Sequence, residues 1–229
     1  MTRASGGGTA PQASCSTRVV LATRNTKKIA ELRAILAGLR AADGSGIDVV
    51  GLDGFPDAPE VPETEATFAG NALLKARAIA EHTGLPAVAD DSGLCVDALN
   101  GMPGVLSARW SGRFGDAAGD KDRANLDLVL DQLADVPGPR RGAAFVCAAA
   151  LVVPGGAEHC VEGRLRGRIV DAPRGDGGFG YDPIFQPEGE SRTTAELTAE
   201  EKNAISHRGR AFRALAALLP DALVSAAPR

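Results

Sequence analysis

The stretch RVVLATRNTKKIAELRAIL, residues 18–36, decides the fold class because it joins a strand to a helix through a short polar turn. Its first six residues, 18–23, contain the apolar run VVLA and three β-branched residues, which predicts a buried strand. After the turn, Ile29, Leu32 and Leu36 recur at the spacing of one helix face. A strand that leads directly into a helix is typical of an α/β protein.

The rest of the chain continues this alternation and then adds a hairpin. The predicted strands cover residues 47–52, 86–89, 143–153, 157–163 and 163–170. The predicted helices cover residues 67–83 and 121–133. A last helix is predicted to start at a capping box at 198–201 and to end at Pro220. Alternating elements followed by a hairpin predict an α/β fold with a mixed β-sheet.

Composition excludes several classes of protein. The 229 residues are 44% apolar and 24% charged, with a net charge of −4, so a protein that binds nucleic acid through its phosphates is not expected. No apolar run is long enough to span a membrane, and the four cysteines show no C-x-x-C spacing, so we expect a reduced cytoplasmic protein. We expect a flexible N-terminal tail at 1–17, one domain at 18–219 and a C-terminal tail at 220–229.

The polar turn is a candidate phosphate site. Thr23, Arg24, Asn25, Thr26, Lys27 and Lys28 lie between a predicted strand and the N-terminus of a helix. Free backbone N–H groups and the helix dipole at such a turn suit phosphate. The turn has no glycine, so it is neither a Walker A loop nor a dinucleotide-binding loop. The alternative is a polar turn whose lysines are merely solvated.

Two adjacent acids form the sharpest candidate for chemistry. Asp90 and Asp91 begin the sequence DDSG, which we place at the carboxyl end of the strand at 86–89. Adjacent carboxylates repel each other unless a positive group compensates them, and Mg²⁺ with its oxygen ligands would do so. Alternation along a strand would send the two side chains to opposite faces. The alternative is an acidic turn that caps a backbone N–H.

A glycine-rich segment and the last helix supply further candidates. Phe179 and Tyr181 flank Gly180 in the sequence GGFGYDP, which suits stacking of a purine base with close approach of the backbone. Lys202, His207 and Arg208 lie near the start of the predicted last helix. Lys202 and Arg208 are six residues apart, so they reach one pocket only if that helix ends or breaks near 203–206. For each of these segments, a structural role is the alternative.

Six ordered blocks together resemble the inosine triphosphate pyrophosphatase family, whose members are also called dITP/XTP pyrophosphatases or non-standard purine nucleoside triphosphatases. The blocks are TRNTKK, FAGNALLKARAIA, ADDSGL, GMPGVLSARWSG, GDGGFGYDPIF and AELTAEEKNAISHRGRA, and the resemblance covers about residues 18–219. The resemblance implies an elongated α/β sheet with two lobes around a central cleft, and a homodimer. It implies hydrolysis of ITP, dITP and XTP to the monophosphate and pyrophosphate with Mg²⁺, which would remove deaminated purines from the nucleotide pool.

The resemblance also implies residue roles. It makes Asp91 the general base and a Mg²⁺ ligand, with Glu63 as the nearest match to a second ligand. The implied nucleotide contacts are Thr23, Arg24, Asn25, Thr26, Lys27, Lys28, Lys75, Ser92, Phe179, Gly180, Tyr181, Asp182, Lys202, His207 and Arg208. Many members carry glycine where this chain has Arg24 and Lys27, and a second acid where it has Pro62.

Two other functions remain open at this stage. A pyrimidine-directed pyrophosphatase on a related fold would cleave dTTP and UTP in preference to ITP. A nucleotide sensor would bind ITP without cleaving it. Turnover of ITP against dTTP and UTP in the presence of Mg²⁺ separates all three.

Overall fold

The computed structural model describes residues 16–24, 26–37, 40–41 and 43–224. The strands in this part of the chain are β1 (Ser16–Leu21), β2 (Gly46–Val50), β3 (Ala87–Val96), β4 (Gly142–Val152), β5 (Glu158–Ile169) and β6 (Phe185–Pro187). They form one sheet in the order β2-β1-β3-β4-β5-β6. The pairs β2/β1 and β1/β3 are parallel, whereas the other three pairs are antiparallel. The predicted mixed sheet is therefore confirmed.

Helices flank the sheet. They are α1 (Thr26–Leu36), α2 (Phe68–Thr83), α3 (Arg113–Ala118), α4 (Lys121–Gln132), α5 (Ala199–Ile205), α6 (His207–Ala216) and α7 (Leu219–Val224). The ends of α2 follow from its sequence, because the side chain of Thr67 accepts a hydrogen bond from the N–H of Gly70 and Gly84 adopts the left-handed conformation. The part of the chain with coordinates holds no helix that is long and apolar enough to cross a membrane.

The core has two layers because β4 buries both of its faces. Cys147, Ala149 and Leu151 pack with α1, α6 and α7 on one side. Ala148 and Ala150, with their even-numbered neighbours, pack with α2 on the other. A third cluster lies at the far end of the sheet, where β3, β4, β5 and α4 meet the segment around Tyr181.

The structure corrects three details of the sequence prediction. The sequence DDSG is not at a strand end, because β3 continues to Val96 and pairs with β4 along its whole length. The strands predicted at 157–163 and 163–170 are one strand, β5, which pairs with β4 from Glu158 to Arg168. Pro220 does not end a helix but is the second residue of α7, a position where its missing N–H costs nothing.

The predicted tails, residues 1–17 and 220–229, overlap β1 and α7. Ser16 and Thr17 belong to β1, and residues 220–224 belong to α7, in which Ala222 and Leu223 are buried. Residues 1–15 and 225–229 lie outside the described residues.

Candidate functional site

The candidate site is built on both faces of β3. Asp90 and Asp91 are adjacent, so their side chains point to opposite sides of the sheet. Asp91 faces α2, whereas Asp90 and Ser92 face the start of α6. The predicted alternation of the two acids is confirmed, and each face carries a different set of partners.

An acidic cluster, formed by the carboxylates of Glu63 and Asp91, lies on the face of β3 that packs against α2. The side chain of Asn71 donates a hydrogen bond of 3.0 Å to Oδ2 of Asp91, and both residues are buried. Nζ of Lys75, one helical turn later, lies 2.9 Å from Oε1 of Glu63 and 3.6 Å from Oδ1 of Asp91. Arg109 adds a second positive charge, with Nη1 at 3.5 Å from Oε2 of Glu63. Helical spacing thus places an amide and an ammonium group over two carboxylates.

The two carboxylates have different proton affinities. Burial raises the pKa of Asp91 above its ordinary value, although the charge of Lys75 and the hydrogen bond from Asn71 oppose that rise. Burial also acts to raise the pKa of Glu63, but the hydrogen bond and charge of Lys75, together with the charge of Arg109, outweigh it. The pKa of Glu63 is therefore held below its usual range. The pair is suited to chemistry in which Glu63 stays ionised while Asp91 exchanges a proton.

The acidic cluster fits a hard divalent cation. Within the described ranges, no group of three or more His, Cys, Asp or Glu side chains is arranged to hold a metal ion. Mg²⁺ does not need such a group, because it is commonly held by one or two carboxylates together with waters and substrate phosphates. Glu63 and Asp91, which share the counter-ion Lys75, are such a pair.

The predicted phosphate turn, residues 23–28, follows β1, the strand that pairs with β3. In this parallel pair, Leu21 of β1 lies opposite Val88 of β3. Thr23 follows Leu21 by two residues, and Asp90 follows Val88 by two residues. The turn thus continues from the carboxyl end of β1 toward α1, as the sequence predicts. Thr26, Lys27 and Lys28 form the first turn of α1. Asn25 lies outside the described residues, as do the side chains of those three.

Arg24 has a different position from the other candidates. Its exposed side chain lines a separate hollow beside α1, with Ile29, Ala30, Arg33 and Asp53.

A cavity of about 320 Å³ lies at the C-terminal half of β3, beside its α6 face. It is large enough for a purine base and its sugar. It brings together eight of the predicted nucleotide contacts: Ser92, Phe179, Gly180, Tyr181, Asp182, Lys202, His207 and Arg208. Asp122 and Asn125 of α4, Ser107 and Ala108 of the segment before α3, and Phe145 of β4 also line the cavity.

The loop with the two aromatic residues is anchored at several points. Asp182 accepts a hydrogen bond of 2.8 Å from the N–H of Phe179 and pairs with Lys202. The hydroxyl of Tyr181 donates to the carbonyl oxygen of Ser107 at 2.8 Å. Burial, followed by the charge of Asp122, raises the pKa of Tyr181, so this hydroxyl keeps its proton.

Phe179 differs from the other anchored residues because it is 67% exposed. Nζ of Lys202 lies 4.9 Å from the centre of its ring. An exposed aromatic ring at the mouth of a cavity is suited to stacking on a ligand.

A break between α5 and α6 brings the basic residues into one cavity. Thr198 and Glu201 form the predicted capping box of α5, which ends at Ile205. The hydroxyl of Ser206 then caps α6 by accepting a hydrogen bond from the N–H of Gly209 at 2.9 Å. Because the helix breaks at Ser206, Lys202 and Arg208 both line the cavity.

Sequence reasoning missed three groups that hold the site. Asn71 and Arg109 contact the acidic cluster, and Asp122 accepts a hydrogen bond of 3.0 Å from the N–H of Gly180. Only Asn71 left a signal in the sequence, since it lies four residues before Lys75 and shares its helix face. Arg109 and Asp122 lie 46 and 58 residues from their partners, so no local pattern reports them.

The chain is similar to proteins of known family over almost its whole length. A protein 64% identical over 207 residues is the dITP/XTP pyrophosphatase of Streptomyces coelicolor, with 90% of this chain and 99% of that protein covered. The dITP/XTP pyrophosphatase of Mycobacteroides abscessus is 59% identical over 203 residues and covers 89% of this chain and 93% of its own length.

Solved structures agree with the sequence matches. A crystal structure of a nucleoside-triphosphatase, described also as a dITP/XTP pyrophosphatase, from Mycobacterium abscessus has a TM-score of 0.72 at 57% identity and covers 89% of this chain and 100% of its own. A HAM1 protein from Coxiella burnetii has a TM-score of 0.79 at 41% identity, with 90% and 100% covered. Residues 19–218 match the family model of the Ham1 family. The matched residues cover nearly all of the part that the structure describes, so this chain belongs to the Ham1 family.

Proposed function

We propose that this protein is a dITP/XTP pyrophosphatase, which hydrolyses ITP, dITP and XTP to the nucleoside monophosphate and pyrophosphate. The observation that carries the proposal is the position of residues 90–92, which join the acidic cluster to the cavity. Asp91 belongs to the acidic cluster, while Ser92 lines the cavity. A nucleotide whose base fills the cavity would present its phosphates to the carboxylates. The names of relatives about 60% identical support the same activity.

The chain's own groups would activate water and neutralise charge. Asp91 would accept a proton from the water that attacks the α-phosphorus, because its carboxylate lies in the acidic cluster and is oriented by the side chain of Asn71. Lys75, Lys202 and Lys28 would stabilise the negative charge that develops on the leaving pyrophosphate. The other contacts proposed at the phosphates are Thr23, Asn25, Thr26 and Lys27.

Glu63 and Asp91 are the residues that would hold Mg²⁺. When bound, the cation neutralises charge across the phosphates and lowers the pKa of the attacking water. Chelation is therefore expected to abolish turnover and added Mg²⁺ to restore it. Glu63→Gln would raise the concentration of Mg²⁺ needed for half-maximal activity, because one charged oxygen ligand is lost.

Selectivity would depend on position 6 of the purine. Hypoxanthine and xanthine carry an oxo group there, which accepts hydrogen bonds, whereas adenine carries an amino donor. His207 and Arg208, with the backbone of residues 179–182, would supply the donors, and Phe179 with Tyr181 would hold the ring. A buried donor that faces adenine would lose its partner, which costs about 1–3 kcal/mol. Guanine shares the oxo group and would have to be rejected at position 2.

The resemblance supports further proposals about organisation. We propose that residues 18–219 act as one domain with two lobes around an elongated sheet, and that the nucleotide lies in the cleft between the lobes. We also propose a cytoplasmic location, with which the free thiols of Cys95, Cys147 and Cys160 are consistent, and a homodimer, which the resemblance alone implies. Sedimentation would test the dimer.

One competition experiment tests the activity. The protein would be incubated with Mg²⁺ and equal amounts of ITP, XTP, GTP, ATP and dTTP, and the products separated by chromatography. We expect IMP, XMP and pyrophosphate, with GTP, ATP and dTTP left intact. Diphosphates and orthophosphate would contradict attack at the α-phosphorus, preferential loss of dTTP would indicate a pyrimidine enzyme, and binding of ITP without products would indicate a sensor.

A further inference from the structure

Asp90 is a buried acid outside the acidic cluster. Its side chain is only 2% exposed, although it lies in the middle of β3 beside the apolar layer that contains Cys147. A carboxylate in such a place is costly unless a positive group or hydrogen bonds compensate it. The compensation comes from Arg208, whose Nε lies 3.2 Å from Oδ2 of Asp90.

The same arginine is fixed by a second acceptor on β3. Nη2 of Arg208 donates to the hydroxyl oxygen of Ser92 at 3.1 Å. Asp90 and Ser92 are two residues apart, so they lie on one face of the strand and bind two nitrogens of one planar group. The guanidinium is therefore held in one plane at the wall of the cavity, where 16% of the Arg208 side chain is exposed.

We propose that Asp90 is a positioning residue that sets base selectivity by orienting Arg208. The inference rests on the proposed function and deepens it, because it divides the two adjacent acids by task. Asp91 serves the phosphates on one face of β3, and Asp90 serves the base on the other. Arginine only donates hydrogen bonds, so a guanidinium fixed at the cavity favours a base that presents an acceptor, such as a 6-oxo purine, over adenine.

A purely structural role explains the arrangement less well. Replacing a buried ion pair with apolar residues is often neutral or stabilising, so stability alone gives little reason for a buried carboxylate here. Asp90 also faces away from Lys75 and Glu63, so it cannot substitute for Asp91 in the acidic cluster.

Asp90→Asn tests the inference, because it keeps the shape and one acceptor but removes the charge. We expect the ratio of kcat/KM for ITP to kcat/KM for ATP to fall about tenfold or more, since a hydrogen bond to a charged group is weakened. The loss should appear in KM for ITP, with kcat at saturation nearly unchanged. Calorimetry without catalysis should show weaker binding of IMP and unchanged binding of AMP.

Two further variants keep the test decisive. Arg208→Lys should lose the same selectivity, because lysine keeps the charge but not the fixed plane. In that background, Asp90→Asn should add little, which is the sign that Asp90 acts through Arg208. Asp97→Asn is the control, since that carboxylate pairs with Arg166 at 3.0 Å on the surface and should change neither ratio nor KM.

Several results would overturn the inference. They are an unchanged ITP to ATP ratio in Asp90→Asn or in Arg208→Lys, an equal loss for both nucleotides, or a loss in kcat alone. Failure of the unmodified enzyme to convert ITP to IMP would instead remove the proposed function. The IMP and AMP affinities would still show whether Asp90 orients the base site.

Discussion

Asn71 donates its side-chain hydrogen bond to Oδ2 of Asp91 over 3.0 Å, and its own oxygen accepts the N–H of Glu65 over 2.9 Å. One buried amide thus fixes the proposed general base and, at the same time, the loop that carries Glu63. The side chain of Asn71 is completely buried, so it acts on the site through these two hydrogen bonds.

We expect Asn71→Ala to lower kcat by about 10- to 100-fold, which is the usual effect of losing a group that orients a metal-binding side chain. Stability should fall by about 1–3 kcal/mol, because the N–H of Glu65 and Oδ2 of Asp91 both lose a buried partner. Steady-state kinetics and thermal unfolding separate the two effects. Undiminished kcat in a correctly folded variant would show that Asp91 does not need this amide.

Lys75 is expected to be required for turnover, because it is the shared counter-ion of Glu63 and Asp91. Lys75→Met should lower kcat by about 100-fold or more, as expected for a charge that stabilises the transition state. Its charge holds down the pKa of both carboxylates, so both values should rise in the variant, which NMR titration of the metal-free protein would measure.

Lys121→Met is the matched control for Lys75→Met. Lys121 is also a helical lysine paired with an acid, Asp116 at 3.6 Å, but its side chain is 48% exposed. It should retain full activity and almost full stability, since surface ion pairs contribute little. Equal losses in the two variants would mean that general surface charge, and not the acidic cluster, controls turnover.

Phe179 and Phe114 offer a comparison between two exposed rings. Phe179 is 67% exposed at the cavity, and Phe114 is 85% exposed on α3, away from the cavity lining. Phe179→Ala should raise KM for ITP by about tenfold, since stacking a base on an aromatic ring contributes about 1–3 kcal/mol. Phe114→Ala should leave KM unchanged. Neither variant should unfold at a lower temperature, and an unchanged KM in Phe179→Ala would remove its stacking role.

Gly163 controls how closely α6 approaches β5. A Cβ atom there would collide with the backbone of His207 and Ala211. Gly163→Ala should therefore cost about 1–3 kcal/mol of stability, as overpacking does, and should weaken ITP binding because α6 carries His207 and Arg208. Gly138→Ala is the control, since no atom lies within 4 Å of the added methyl group. Chemical denaturation measures both, and equal stabilities would show that α6 shifts freely.

Local signals in the sequence predicted the elements well. The cap residues Thr67 and Gly84 mark the ends of α2, and the capping box of Thr198 and Glu201 marks the start of α5. These patterns succeed because each involves hydrogen bonds between residues at most four apart.

The prediction failed where distant partners override a local pattern. Two adjacent acids indicated the end of a strand, yet β3 continues through them because Lys75 and Arg208 neutralise one acid on each face. Arg208 lies 118 residues from Asp90, so no spacing rule could have reported that pair. The break at Ser206 was only an open alternative, since the sequence shows no glycine or proline there.

The alanines of β4 make the middle of the molecule thin. Ala144, Ala148, Ala149 and Ala150 carry only methyl groups, so α2 and α6 lie close to the sheet on its two sides. Enlarging any of them would push one of these helices outward, and with it either Lys75 or Arg208. A larger residue at an even position of β4 would therefore impair turnover through α2, and one at the odd position 149 would impair base selectivity through α6. Either effect would appear well before the chain ceased to fold.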